Sequence, residues 1–78
     1  MIEVGRLYRI KEDMWWYTDI WSDGEIVLQT DDVVSCVDVE ELYSEHKTVK
    51  VLSEHGILVT SLSNYDLADL LELVNYDY

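Results

Sequence analysis

Short apolar runs separated by polar turn residues fill most of the chain up to residue 62. The runs are rich in Val, Ile, Trp and Tyr and are bounded by Asp, Ser and Gly, which is the pattern of β-strands. In the first run, Tyr8 and Ile10 fall on one face and Leu7 on the other. The predicted strands cover residues 4–11, 15–21, 26–28, 33–39, 48–52 and 57–62.

Two turn signals predict hairpins between these strands. Asp23-Gly24 lies between two apolar runs, and this dipeptide favours a type I′ turn because both central residues need positive φ. The segment 53–56 ends in Gly56, which can adopt the positive φ that closes a slightly longer loop. Between the hairpins, the strand 33–39 is expected to place Val33, Ser35, Val37 and Val39 on one face.

Only near the carboxyl end does the spacing of apolar residues change from that of a strand to that of a helix. Leu67, Leu70, Leu71 and Val74 follow the i, i+3, i+4, i+7 spacing of one apolar helical stripe. Ser63 precedes them at the position of a helix N-cap, with Asp66 three residues later. We therefore expect a helix over residues 64–75.

Chain length and element order define the expected fold class. Seventy-eight residues suffice for one hydrophobic core, and the absence of proline and of any Ser/Gly linker indicates a single domain, 1–78. Short strands with tight turns favour a strongly bent sheet or a small barrel, because closing the sheet removes exposed strand edges. The prediction is an α+β, mainly β domain: a small bent antiparallel sheet or SH3-like barrel of five to six short strands with one C-terminal helix.

All three tryptophans lie in the second predicted strand. Alternation places Trp15, Tyr17, Asp19 and Trp21 on one face, and Trp16 with Ile20 on the other. Burying Asp19 without a partner is costly, so the Trp16 face is the better candidate for the core. The other aromatics then form either cross-strand pairs that stabilise the sheet or an exposed binding hot spot.

The charge is strongly acidic and unevenly distributed. Seventeen acidic and five basic residues give a net charge of −12, which opposes direct binding to nucleic acid or to anionic membranes. Residues 12–46 contain eleven acids and neither Lys nor Arg. Ordinary surfaces intersperse both signs, so this segment asks for an explanation.

Two interpretations of the acidic segment remain open. In one, regularly spaced carboxylates imitate nucleic-acid phosphates, since i, i+2 pairs such as Asp38 with Glu40 share a face about 6.6 Å apart. In the other, the acids form only a solvated surface. The candidate partner-binding acids are Asp19, Asp23, Glu25, Asp31, Asp32, Asp38, Glu40 and Glu41; the candidate aromatic anchors are Trp15, Tyr17 and Trp21.

The sequence predicts neither catalysis nor a cofactor. Cys36 lies among valines, which favours a buried, inert thiol. Acids around Asp31 and Asp32 lack the spacing of a calcium loop, and the two histidines lack zinc-site spacing, so we expect no metal. A single cysteine, no signal-peptide pattern and no long apolar run favour a cytoplasmic protein.

The base-free acidic stretch, the cluster Trp15-Trp16-Tyr17 with Trp21, and the tail Asn75-Tyr76-Asp77-Tyr78 resemble the small acidic host-takeover proteins of tailed bacteriophages. The resemblance lies in composition and assigns no individual residue a role. It implies an inhibitor, DNA-mimic in type, that occupies the basic nucleic-acid-binding surface of a host nuclease, RNA polymerase or defence complex. The alternatives are an adaptor module docking through exposed aromatics, and a homodimer formed through the same residues.

Overall fold

The strands and helix follow one another along the chain with short connections. A computed structural model describes residues 2–18, 25–43 and 45–74. Within these ranges the elements are β1 (Leu7–Ile10), β2 (Met14–Thr18), β3 (Glu25–Leu28), β4 (Val33–Glu41), β5 (His46–Ser53), β6 (Gly56–Ser63), α1 (Asn64–Leu70) and β7 (Leu71–Leu73).

The seven strands form one antiparallel sheet in the order β3-β2-β6-β5-β4-β1-β7. The sheet curls into a half-barrel whose two ends are β3 and β7. The predicted mainly-β architecture, with a bent antiparallel sheet and a C-terminal helix, is therefore confirmed. All six predicted strands are present with shifted bounds, and β7 is an additional one.

Alternation of buried and exposed residues along the strands builds the core on one face of the sheet. Trp16 is fully buried there, as its position in the strand predicts. Its indole N–H has no hydrogen-bond partner within the described part of the chain. The other buried apolar residues are Tyr8, Ile10, Met14, Leu28, Val34, Cys36, Val49, Val51, Leu58, Leu67 and Leu71.

A β-bulge in β4 overturns the predicted face of that strand. Cys36 pairs with Val51 but Asp38 pairs with Lys50, so one extra residue, Val37, is inserted between the two registers. Val33 and Val37 are exposed, whereas Val39, beyond the bulge, packs against the core. The predicted common face of the valines is therefore wrong, because the alternation changes phase at the bulge.

The two predicted hairpins differ in outcome. Ser53 pairs with Gly56, and Gly56 adopts φ +93°, which confirms the β5–β6 turn. Strands β2 and β3 also pair antiparallel, with Glu25 opposite Tyr17. The predicted turn residues Asp23 and Gly24 lie outside the described ranges, so the turn type stays a prediction.

The carboxyl end is helical over a shorter span than predicted. Ser63 caps α1 as expected, its Oγ accepting a hydrogen bond from the N–H of Asp66 at 3.2 Å. The helix ends at Leu70, not at residue 75, and β7 follows at once. Pairing with the edge of β1 supplies backbone hydrogen bonds there, so tertiary contacts override the helical period of the leucines.

Candidate functional site

The face of the sheet that points away from the core carries exposed aromatic residues; we call it the outer face. Trp15 and Tyr17 lie on it because they alternate with the buried Met14 and Trp16 along β2. Their side chains are 58% and 51% exposed, respectively. Large aromatic side chains left in solvent at this level are candidates for contact with a partner.

Neighbouring strands extend this aromatic surface. Val27 of β3 lies directly opposite Trp15, and Val59 of β6 lies directly opposite Tyr17. Val27 is exposed and Val59 is partly buried. We call these four residues the aromatic patch. Cross-strand pairing therefore places the residues of the aromatic patch side by side but leaves much of their apolar surface exposed to water.

Three of the predicted acids share the outer face with the aromatic patch. Glu25 lies directly opposite Tyr17, and Asp38 and Glu40 project from β4. All three are exposed. The strand order places β4 three strand spacings from β2, or about 14 Å. Lys50 of β5 lies between Val59 of the patch and Asp38. Only Glu25 therefore adjoins the aromatic patch directly, and the carboxylates do not form one continuous row.

The other described acids of the predicted set lie elsewhere. Asp31 and Asp32 belong to the β3–β4 turn, where Asp32 accepts a hydrogen bond from the N–H of Gln29 at 2.8 Å. Asp31 adopts φ +78° and lies 3.8 Å from Arg9. Glu41 lies at the end of β4, opposite Lys47. Asp31 and Asp32 therefore have local structural roles that account for their presence in the turn.

Two predicted acids and one aromatic anchor, Asp19, Asp23 and Trp21, lie outside the described residues. Their contribution to the outer face stays a prediction.

Bases from outside the acidic segment reach its acids through the fold. Arg9 donates a hydrogen bond to Glu72 and also lies near Asp31. The hydrogen bond and charge of Arg9 lower the pKa of Glu72 below its ordinary value, and Glu72 raises that of Arg9. Lys50 of β5 lies opposite Asp38 of β4. Segregation of charge along the sequence is therefore only partly preserved in space.

The remaining candidate chemistry is sparse. Cys36 is buried, as predicted, and burial is the main cause that raises the pKa of its thiol. In the described part of the chain, no three His, Cys, Asp or Glu side chains converge as metal ligands would. No described helix has the length and apolar character needed to span a bilayer.

Sequence reasoning missed a lysine that lies on the core side of the sheet. Lys47 alternates with Val49 and Val51 along β5, so it faces inward and is only 8% exposed. It lines a groove together with Tyr8, Asn64 and Leu67. The signal in the sequence is spacing: Lys47 lies two and four residues before the core residues Val49 and Val51, so all three fall on the same face of a strand. The predicted strand began only at residue 48 and so left Lys47 out.

Comparison with known proteins adds no relative: no protein-family model, no curated protein and no solved structure matches this chain.

Proposed function

We propose that this chain is a protein-binding module that docks the outer face of its sheet onto a basic surface of its partner. The observation that carries the proposal is the exposure of Trp15 and Tyr17 on the same face as Glu25, Asp38 and Glu40. Aromatic side chains supply apolar contact area with little loss of conformational freedom, and flanking acids supply complementarity to a basic partner.

The charge pattern favours a basic partner surface. The chain carries a net charge of −12. On the outer face, the residue directly opposite Glu25 is aromatic and the residue directly opposite Glu40 is Thr48, whereas Asp38 lies opposite Lys50. Carboxylates on an acidic surface attract a basic partner and increase its rate of association.

The partner class that suits this chemistry is the nucleic-acid-binding surface of a host enzyme: a nuclease, an RNA polymerase or a defence complex. Such surfaces present Lys and Arg to phosphates, and carboxylates can occupy the same positions. The protein would then inhibit by occupying the channel, with Trp15 and Tyr17 as anchors. The placement of Asp31, Asp32 and Glu41 away from the patch limits the carboxylates that take part to the outer-face set.

The experiment begins with capture of the partner from host lysate, followed by titration with the purified partner at two salt concentrations. We expect Trp15→Ala to weaken binding by about 2 kcal/mol or more, the effect of a central hot-spot residue. Tyr65→Ala is the matched control, since Tyr65 is an exposed aromatic residue on α1. Equal losses from the two variants would overturn the role of the outer face.

Charge reversal tests the basic partner surface separately. The double variant Glu25→Lys/Glu40→Lys should weaken binding and flatten its salt dependence, because it removes attraction across the interface. Glu12→Lys/Asp69→Lys changes the net charge equally at exposed positions outside the outer face. Added duplex DNA or RNA should compete with the protein for its partner. An affinity for the partner that changes neither with salt concentration nor on addition of nucleic acid would contradict the proposal.

A second candidate, an adaptor that docks through apolar surface alone, is favoured by a specific observation. Apolar exposure continues beyond the aromatic patch: Leu52 lies opposite Ile57 on the outer face, and Val33 is also exposed. In that case Trp15→Ala abolishes binding while charge reversal changes little. Self-association through the same patch would appear as a concentration-dependent mass in sedimentation, and Trp15→Ala would abolish it.

A further inference from the structure

A groove opens beside the helix, at the end of the core and away from the outer face. It has a volume of about 400 Å³ and lies between α1 and the inner sides of β1, β5 and β7. Its apolar wall includes Ile2, Leu67 and Leu71. Small-molecule sites are typically concave, mostly apolar and about 300–1,000 Å³, so this groove has the size of a site for a small ligand.

Lys47 provides a cation within this groove. More than nine-tenths of the residue is buried, whereas lysines are rarely buried this far unless they are paired. Within the described part of the chain, its ammonium makes neither an ion pair nor a hydrogen bond with another side chain. Its Nζ nevertheless keeps contact with solvent, since it is absent from the fully enclosed polar atoms. The stem is packed in the core while the charge remains accessible to a ligand.

Polar groups near Lys47 can complete a head-group site. Asn64 lines the same groove and is exposed, so its side-chain amide can donate a hydrogen bond beside the ammonium. Tyr8 also lines the groove, and its hydroxyl accepts a hydrogen bond from the N–H of Glu3 at 2.8 Å. The polar groups therefore stand beside apolar walls, which is the arrangement that an amphipathic ligand requires.

We propose that the groove binds a small aliphatic carboxylic acid, with its carboxylate on Lys47 and its chain against Leu67 and Leu71. A single ammonium matches a monoanion, whereas phosphate groups are usually held by several donors. A second cavity, which Lys47 also lines, is lined by Glu41, Glu45 and His46, and its carboxylates disfavour a dianion. The modest groove volume favours a short chain over a long one.

Glu41 gives the proposal a distinctive signature. It lies directly opposite Lys47 in the β4–β5 register, and its carboxylate is exposed. A carboxylate at that position competes with an anionic ligand for the ammonium. Glu41→Gln removes the competing charge and should therefore tighten binding, which a purely apolar site would not show.

The test is a titration of the full chain with sodium octanoate, below the concentration at which octanoate forms micelles, followed by methyl NMR. We expect saturable shifts at Ile2, Leu67 and Leu71, and a roughly 10- to 100-fold weaker affinity in Lys47→Met, the range for a charge-assisted hydrogen bond. Lys50→Met is the matched control: Lys50 occupies the same strand, carries the same charge and projects from the opposite face. Its affinity should equal that of the unmodified chain.

Octan-1-ol supplies a test that needs no variant. It has the same chain and no charge, so it should bind at least about tenfold more weakly than octanoate if Lys47 holds the head group. Equal affinity for the alcohol, unsaturable shifts, or equal octanoate affinity in Lys47→Met with an unchanged circular dichroism spectrum would each overturn the proposal. None of these outcomes bears on docking through the outer face, so the two proposals fail independently.

Discussion

The two faces of the sheet are built by the same strands but obey different constraints. Along β5, Val49 and Val51 are buried in the core, while Thr48 and Leu52 face outward. The inner face is apolar except for a few positions, because close packing leaves little freedom there. The outer face mixes aromatic, aliphatic and acidic residues without such a constraint. Its aromatic residues therefore call for an explanation beyond packing, and binding to a partner provides one.

The largest expected difference is between two single-residue deletions, one in β4 and one in the adjacent strand β5. Val37 is the extra residue of the bulge, so its deletion leaves Cys36 opposite Val51 and Asp38 opposite Lys50. We expect a folded protein with a stability loss of about 0.5–3 kcal/mol, that of an ordinary point mutation. Urea unfolding followed by circular dichroism measures it.

The matched variant deletes Lys50 from β5, a strand that has no bulge in its pairing with β6. The pairing of β5 with β6 is regular throughout, so removal of Lys50 forces either Val49 or Val51 onto the outer face. This variant should lose cooperative unfolding. If both deletions behave alike, the bulge does not set the phase of β4.

Trp15 and Trp16 are neighbours in β2 but lie on opposite faces of the sheet, so they compare the two faces directly. Trp16→Ala should cost about 3–5 kcal/mol because it empties a fully buried site. Trp15→Ala should change the free energy of unfolding by about 0.5 kcal/mol or less, as for other surface substitutions. Chemical denaturation of both variants measures the difference. A large loss from Trp15→Ala would mean that the aromatic patch serves stability and not binding.

The smallest effect concerns the ion pair of Arg9 with Glu72 at the outer edge of the sheet. Arg9 lowers the pKa of Glu72, so the pair stabilises the fold above the ordinary glutamate pKa of 4.5. That contribution is lost as pH falls through the lowered pKa of the folded state. Glu72→Gln should therefore be less stable than the unmodified chain near pH 6, with the difference shrinking below about pH 4.5. Urea unfolding across this pH range measures it.

Glu12→Gln provides the control for the pH series. Glu12 is exposed and forms no ion pair with any described residue. Its pH series is the reference against which that of Glu72→Gln is compared. If the two series are indistinguishable, the pair adds nothing to stability.

Local patterns predicted the strands and most of the alternation. The faces of β1 and β2 follow from period-2 burial, and Gly56 marks the β5–β6 turn through its positive φ. The bulge at Val37 was not predictable from the sequence, because an inserted residue changes phase without any mark among similar valines. Strand β7 was missed for a different reason: its pairing partner, β1, lies at the opposite end of the chain.

The candidate site was predictable in part. Alternation along β2, together with the cost of burying Asp19, predicted Trp16 in the core and Trp15 and Tyr17 on the opposite face, where they are exposed. The contribution of the acids depends on which strands become neighbours. Glu25 reaches the aromatic patch through its register with Tyr17, whereas Asp31 is drawn towards Arg9. Such neighbours are decided by tertiary structure, which spacing along the sequence does not encode.

The pairing of β7 with the edge of β1 has a consequence for the order in which the sheet is completed during synthesis. The pairing of β1 with β7 brings together residues such as Arg9 and Glu72, which are 63 positions apart. At ribosomal rates of about 5–20 residues per second, roughly 3 to 13 s separate their synthesis. During that interval one edge of β1 has no strand to pair with and stays open to other chains. The nascent protein thus passes through a stage that is vulnerable to aggregation, and the synthesis of β7 ends it.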